Sequence, residues 1–286
     1  MTNILEAIVN IANNPVLDIK SHYSGRNRAN NVGEALEKFV KDAFANTILT
    51  TNDQERMTRY NQVFSWSGNQ NHPPDIMIKQ GDAIEVKKTQ STNSDLALNS
   101  SYPKSTIQSN STLITKECKA CEEWTEKDLI YCVGHTSDDT VNSLWMVYGN
   151  IYAAKHDTYQ IIKKKITDGI NEISSVELAE TNELGRVNRV DPLGITNLRI
   201  RGMWQIKNPR IVFNYLHTQT NNKFELVAII PASKYTSFPN ESKNRIENLD
   251  NKNLTITNVK VKDPNNPVNL IDVKLIVFKL LAQQAV

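Results

Sequence analysis

The chain has 286 residues, a length for one large domain or two small ones, and it can bury a core without disulfides or metal. Its apolar share is 39%, 34 residues are Asn, no run of 18 apolar residues exists, and the three Cys are an odd count, so a transmembrane helix, a coiled coil, a collagen-like fibre and a disulfide scaffold are excluded. The net charge of +2 permits a nucleic-acid partner without arguing for one.

The opening stretch MTNILEAIVNIANNPV carries Glu6 and no basic segment, so it is expected to be a helix and not a signal peptide, and a reducing cytosol is the expected compartment. Over 1–14, Ile4, Leu5, Ile8, Ile11 and Ala12 share one helical face, and Pro15 ends it. A polar arm over 20–31 holds Arg26 and Arg28. A helix over 32–46 follows, with Val32, Leu36, Phe39, Val40, Ala43 and Phe44 at helical spacing. Strands are expected at 59–67, 75–79, 83–89, 128–134 and 143–153, then a helix at 156–173. A strand-like stretch runs over 176–214, strands follow at 223–231 and 273–281, and the Asn- and Pro-rich 236–270 is expected at the surface. No internal repeat appears. Strands outnumber the two or three helices that pack on them, which predicts an α/β or α+β chain with a mixed central sheet flanked by helices, read as one domain over 1–286.

The stretch from His72 to Gln90 carries the most chemistry. Apolar and polar residues alternate on both sides of Gln80-Gly81-Asp82. Pairing Ile76 with Val86 and Ile78 with Ile84 puts all four on one face of a hairpin and leaves a three-residue loop, with Gly81 available for a left-handed position. In that register Asp75 lies opposite Lys87 and Glu85 opposite Met77, so Asp75, Glu85 and Lys87 converge on the other face. A two-residue turn would separate the acids. Two carboxylates and a lysine this close suit Mg²⁺, which takes hard oxygen ligands and keeps several waters. A metal so held can polarise a phosphoryl oxygen and lower the pKa of a bound water, the chemistry of phosphodiester hydrolysis. The plain reading is a solvated hairpin face. Glu34 and Glu37, one turn apart on the preceding helix, could bring a further carboxylate to the cluster or simply face solvent.

Cys118-x-x-Cys121 and Cys132-x-x-His135 imitate a zinc pattern. Within an apolar strand, however, Cys132 and His135 point to opposite faces, so Cys132 reads as a core residue.

Pro74-Asp75, nine residues, then Glu85-Val86-Lys87 resembles the PD-(D/E)xK nucleases. More specifically the chain resembles the NgoPII-type family of type II restriction endonucleases. The resemblance rests on Asn27–Asn30 with Gly33–Glu37, Pro73–Asp75, Gly81–Lys88, Leu98–Ser101 with Pro103-Lys104, Glu183–Pro192 and Arg199–Trp204, and is weakest over the final 70 residues. It implies a restriction-endonuclease-like core and a Mg²⁺-dependent homodimer that cuts double-stranded DNA at a short palindrome, GGCC. It also implies a companion DNA methyltransferase and the cytoplasm of a prokaryotic cell. It assigns Asp75, Glu85 and Lys87 as the catalytic set, Asp75 and Glu85 as metal ligands, and Glu37 as the helix acid.

Guanine is read by Arg and cytosine by acidic groups, so a GC-only site favours Arg with some Asp or Glu. Arg186, Arg189, Asp191, Arg199 and Arg201 fall within nineteen residues, which marks 176–214 as the expected recognition region. Surface salt bridges are the competing account. Ser100, Ser101 and Lys104 could hold phosphates beside the scissile bond, and Arg26 and Arg28 could contact a groove or backbone. Lys163, Lys164 and Lys165 read as a solvated helix face. Two other functions fit less well: a structure-selective repair or junction nuclease, and a DNA-binding protein that does not cut. The second leaves an acidic pair facing phosphates with no cation to bridge them.

Overall fold

The computed structural model describes residues 2–23, 32–68, 73–98, 101–173, 177–181, 183–218 and 222–281. Helix α1 (Ile4–Asn13) starts where the Asn3 side chain accepts from the amides of Leu5 and Glu6. It is buried on nearly every side, which explains its almost continuous apolar sequence. Helices α2 (Ile19–Tyr23) and α3 (Val32–Ala45) follow. The strand expected at 59–67 is mostly helix: α4 spans Asp53–Val63, and only β1 (Phe64–Ser67) is extended. Helix α4 buries Arg56 and Tyr60, one turn apart, against a carboxylate of α3. A helix that buries a polar pair leaves no apolar period to read.

The hairpin strands β2 (Ile76–Ile78) and β3 (Ala83–Thr89) come next, then short β4 (Leu96–Ala97), β5 (Thr106–Gln108) and α5 (Lys116–Ala120). Strands β6 (Glu126–Ser137) and β7 (Thr140–Tyr148) are antiparallel, and β7 ends in a 3₁₀ turn at Gly149–Ile151, short of the expected 153. Helix α6 spans His156–Asn171. The strand-like stretch resolves into β8 (Glu177–Leu178), β9 (Gly185–Asn188), β10 (Leu198–Ile200), β11 (Gln205–Ile206) and a short helix, α7 (Pro209–Val212). The chain closes with β12 (Phe224–Pro231), α8 (Ala232–Ser237), α9 (Asn240–Glu247), β13 (Leu254–Asp263) and β14 (Asn266–Leu280). The region 236–270 lies largely at the surface, as expected, and is regularly folded there. It holds α9 and β13, the latter a largely exposed edge strand where Asn and Lys are tolerated.

The main sheet runs in the order β1-β2-β3-β6-β7-β12-β14-β13, with β5 added on β6. It is mixed: β3–β6 and β7–β12 are parallel, and the other pairs are antiparallel. Every residue of β12 is buried, as a central strand covered on both faces requires. Helix α3 lies on one face, with α1 packed against it and against α9. A Cβ on Gly134 would come within 2.5 Å of the Leu36 side chain, so this glycine lets α3 sit directly against β6. The expected α+β class, a mixed central sheet with flanking helices, is what the structure has. The strands β10-β9-β8 form a separate small sheet, as do β11-β4. Among the described residues no helix is long and apolar enough to cross a membrane.

Candidate active site

The hairpin register differs from the expected one by two residues. Ile76 pairs with Ile84 and Met77 with Ala83, and the connection is Lys79–Asp82. The left-handed residue is Gln80, at φ 54°, and not Gly81. The cause is tertiary. Buried Asp82 is drawn inward by Lys234 Nζ at 2.6 Å and by the Tyr148 hydroxyl at 2.6 Å, while Lys127 Nζ donates to the Gly81 carbonyl at 2.7 Å. A shift of two residues leaves every side chain on its expected face. It changes the neighbour: Asp75 is carried level with Glu85, and its Oδ2 accepts from the Val86 amide at 2.7 Å.

Lys87 Nζ donates to Glu85 Oε1 at 2.6 Å. The other oxygen, Glu85 Oε2, is buried without a partner. Burial and then the Glu85 charge raise Asp75 to about 7, against the opposing pull of Lys87 and the Val86 amide, with Glu37 adding to the rise. Lys87 is held above the ordinary lysine range: burial works against its charge, and Glu85, Asp75 and Glu37 more than offset it. Glu37 thus acts on the cluster through its field, from a helix packed against β3, while its own carboxylate pairs with Lys41 at 2.7 Å. The four expected catalytic residues are brought to one place.

A divalent cation fits these donors. They are hard oxygens, one of them buried and unpartnered, and two carboxylates repel each other with only one lysine between them. Among the described residues no group of three or more His, Cys, Asp or Glu side chains converges as a metal cage. Asp75 and Glu85 are accordingly the pair that could hold the ion, with water and substrate oxygens in the remaining positions.

Lys104 reaches the same neighbourhood. Its Nζ donates to Ser101 Oγ, its amide donates to the Tyr131 hydroxyl at 2.8 Å, and that hydroxyl donates to the Lys104 carbonyl at 3.1 Å. Tyr131 lies beside Glu85 in the β3–β6 ladder. Burial lowers Lys104 to about 8, with Glu85 opposing and the Lys87 charge adding to the fall. Gly149 makes the approach feasible, since a Cβ there would lie 2.6 Å from the Lys104 carbonyl. Tyr131 was not legible as a site residue, because only the parallel pairing of β3 with β6 sets it next to Glu85. Ser100, Arg26 and Arg28 lie outside the described residues.

The arginines of 176–214 are on the small sheet, where Arg199 and Arg186 are directly opposed across β10 and β9. Arg201 lies just past the end of β10. Arg199 and Arg201 both pair with Glu183, Arg189 pairs with Glu177, and Arg186 donates to Asn188 at 3.2 Å. Glu183 offsets the repulsion of like charges across the ribbon. All four arginines remain exposed. Asp191 is differently employed: its carboxylate accepts from the amides of Leu193 at 3.0 Å and Thr196 at 2.6 Å and so shapes its own loop.

Of the zinc-like cysteines, Cys118 and Cys132 are interior and Cys121 is half-buried. Cys118 is buried 3.4 Å from the Met77 sulfur, Cys121 donates to the Cys118 carbonyl, and Cys132 is fully buried in β6. Cys132 pairs with Val86 and His135 with Thr89, three rungs apart, so they face opposite sides of the sheet.

A family profile described as NgoPII restriction endonuclease matches residues 2–262. The type II restriction enzyme NgoPII of Neisseria gonorrhoeae is 48% identical over 280 residues, covering 97% of this chain and 100% of that enzyme. No solved structure matches.

Proposed function

The chain belongs to the NgoPII restriction endonuclease family and is a type II site-specific deoxyribonuclease, and from that premise we propose that it cuts double-stranded DNA at GGCC, with Mg²⁺ held by Asp75 and Glu85, leaving 5′-phosphate and 3′-hydroxyl ends. The observation that carries this reading is the convergence of Asp75, Glu85 and Lys87 around a buried, unpartnered carboxylate oxygen. When bound, the ion supplies Lewis-acid polarisation of a phosphoryl oxygen and a water of lowered pKa. Lys87, charged and hydrogen-bonded to Glu85, orients that water and neutralises charge developing on the phosphate. Asp75 is steadied by the Val86 amide, and Glu37 adds negative field that favours a cation. Ser101 and Lys104 hold a flanking phosphate, and Arg186, Arg189, Arg199 and Arg201 supply the base and backbone contacts of the recognition region. Asp191 shapes that loop. A companion methyltransferase protects the host's own sites.

Incubation of plasmid with purified protein in Mg²⁺ is expected to give discrete bands, none in EDTA, and end-mapping places the cuts at GGCC. Activity retained in chelator, or a smear without discrete ends, would remove this reading.

A palindrome is matched by a two-fold protein, so the active form is a homodimer. Helix α6 presents Ile161, Ile162, Ile166 and, two residues past its end, Ile173, all more than two-fifths exposed. Its middle carries Lys163, Lys164 and Lys165, Lys164 pairs with Asp168 one turn on, and Glu172 is its C-cap. A second copy would cover these isoleucines, so this face is assigned to the dimer. Ile166→Glu is expected to sediment as a monomer under conditions where the parent is a dimer. A variant that stays dimeric would move the interface elsewhere.

A further inference from the structure

On β3 the side chains of Glu85, Lys87 and Thr89 alternate to one face of the sheet. In the parallel ladder with β6 their partners are Tyr131, Val133 and His135, which share that face. His135 therefore lies two rungs beyond Lys87, about 7 Å along the strand at roughly 3.3 Å per residue. Helix α7 covers the same face. Below it Phe213 packs on Tyr152, with ring centroids 6.1 Å apart, and Tyr152 packs on Tyr131 at 5.3 Å. The Tyr152 hydroxyl donates to the Lys207 carbonyl, and Asn208 caps the helix by accepting from the Arg210 amide at 3.0 Å. These contacts place Arg210 where its charge acts on His135.

Both side chains are incompletely satisfied. Nη1 of Arg210 and Nδ1 of His135 are buried with no partner. Among the described residues no carboxylate forms an ion pair with Arg210. The imidazole donates from Nε2 to the Gln90 carbonyl at 3.3 Å, so its Nδ1 is an acceptor and the phosphate-binding donor of the pair is Arg210. A buried guanidinium nitrogen without an acceptor is costly, and a protein that keeps one provides for a ligand that accepts from it. Arg presents a planar fork matched to phosphate oxygens.

We propose that Arg210 clamps a backbone phosphate of the DNA strand next to the one held at Asp75, Glu85 and Lys87. The proposal rests on the nuclease reading. Lys104, Lys87 and Arg210 then form a track of positive groups along one face of the sheet, on a scale of about one or two nucleotide steps on either side of the reacting centre. Because the clamp touches a phosphate that does not react, it contributes to ground state and transition state alike.

The test uses full-length wild type, Arg210→Ala and Arg210→Lys. Duplex affinity is measured against salt with Ca²⁺ in place of Mg²⁺, and cleavage is measured with Mg²⁺. Arg210→Ala is expected to reduce the slope of log K against log salt by about one, the loss of one phosphate contact. It should raise KM by at least about ten-fold with kcat within about three-fold. Arg210→Lys keeps the wild-type slope with intermediate affinity, because it retains the charge and loses the fork. If alanine does not fold, Arg210→Gln serves for the same measurements. An unchanged slope and KM in a folded Arg210→Ala or Arg210→Gln, with wild type cutting normally, overturns the clamp alone. A wild type that binds duplex but does not cut in Mg²⁺ overturns the nuclease reading and the clamp with it.

Discussion

Asp75→Asn is expected to abolish cleavage and at the same time to stabilise the metal-free protein. Cleavage should fall by roughly 10³-fold, the size of losing a preorganised charge at a reacting centre. Stability should move the other way for an electrostatic reason. Asp75 titrates at about 7 in the folded chain against an ordinary value of 3.8, because it is buried beside Glu85. Folding therefore disfavours its ionised form, and the stability lost grows as pH rises from about 4 through about 7 and is then constant. Asparagine removes that charge and keeps an oxygen to accept from the Val86 amide. The melting temperature of Asp75→Asn should exceed that of wild type by a few degrees at pH 8, at ~2–4 °C per kcal/mol for a domain of this size, and by nothing near pH 4. Mg²⁺ should raise the wild-type melting temperature more at pH 8 than at pH 5, since a ligand must be ionised to bind, and should leave the variant unmoved. A lower melting temperature for the variant at both pH values would make Asp75 a structural residue instead.

The same pairing of cost and use explains which parts of the molecule could be read in the sequence. Helices α1, α3 and α6 and strands β3, β6 and β12 follow from apolar spacing because each buries an apolar face or stripe, or carries one. Helix α4 was unreadable because it buries Arg56 and Tyr60 on a carboxylate. Strand β13 was unreadable because an edge strand needs little apolar surface. In the hairpin, face alternation was legible and register was not. The faces come from a local period of two, whereas the register is set by Lys234 and Lys127, far away in sequence, drawing Asp82 and Gly81 inward. The expected set of Asp75, Glu85 and Lys87 survives that difference because its members share a face in either register. Tyr131, His135 and Arg210 could not be found from spacing, since they meet Glu85 and Lys87 only through the parallel β3–β6 ladder and the packing of α7.

Asp42→Ala is expected to cost the protein about 3–5 kcal/mol, the range for breaking a buried ion pair by removing one partner. Asp42 is fully buried on α3. Its carboxylate accepts from the hydroxyls of Tyr23 at 3.0 Å, Thr47 at 2.5 Å and Tyr60 at 2.6 Å, and from Arg56 Nε at 3.2 Å. One acid thus ties α2, α4 and the end of α3 together, and α3 is the helix that brings Glu37 to the cluster of Asp75, Glu85 and Lys87. Removing it takes the buried partner from Arg56, whose side chain is only 8% exposed and keeps Asp53 at 2.6 Å, and leaves three hydroxyls short of an acceptor. Asp42→Asn keeps an oxygen for the hydroxyls and loses the charge opposite Arg56, so its loss should be smaller than that of alanine. Urea unfolding of the three proteins should therefore order the midpoints as wild type, then Asn, then Ala. Two variants within about 0.5 kcal/mol of wild type would show that the cluster does not hold α3 in place. A second consequence follows at the active site: if Glu37 is positioned through Asp42, Asp42→Asn should also weaken the rise in wild-type melting temperature that Mg²⁺ produces. An unaltered rise in a destabilised variant would confine Asp42 to folding and leave Glu37 positioned by the packing of α3 on β3 alone.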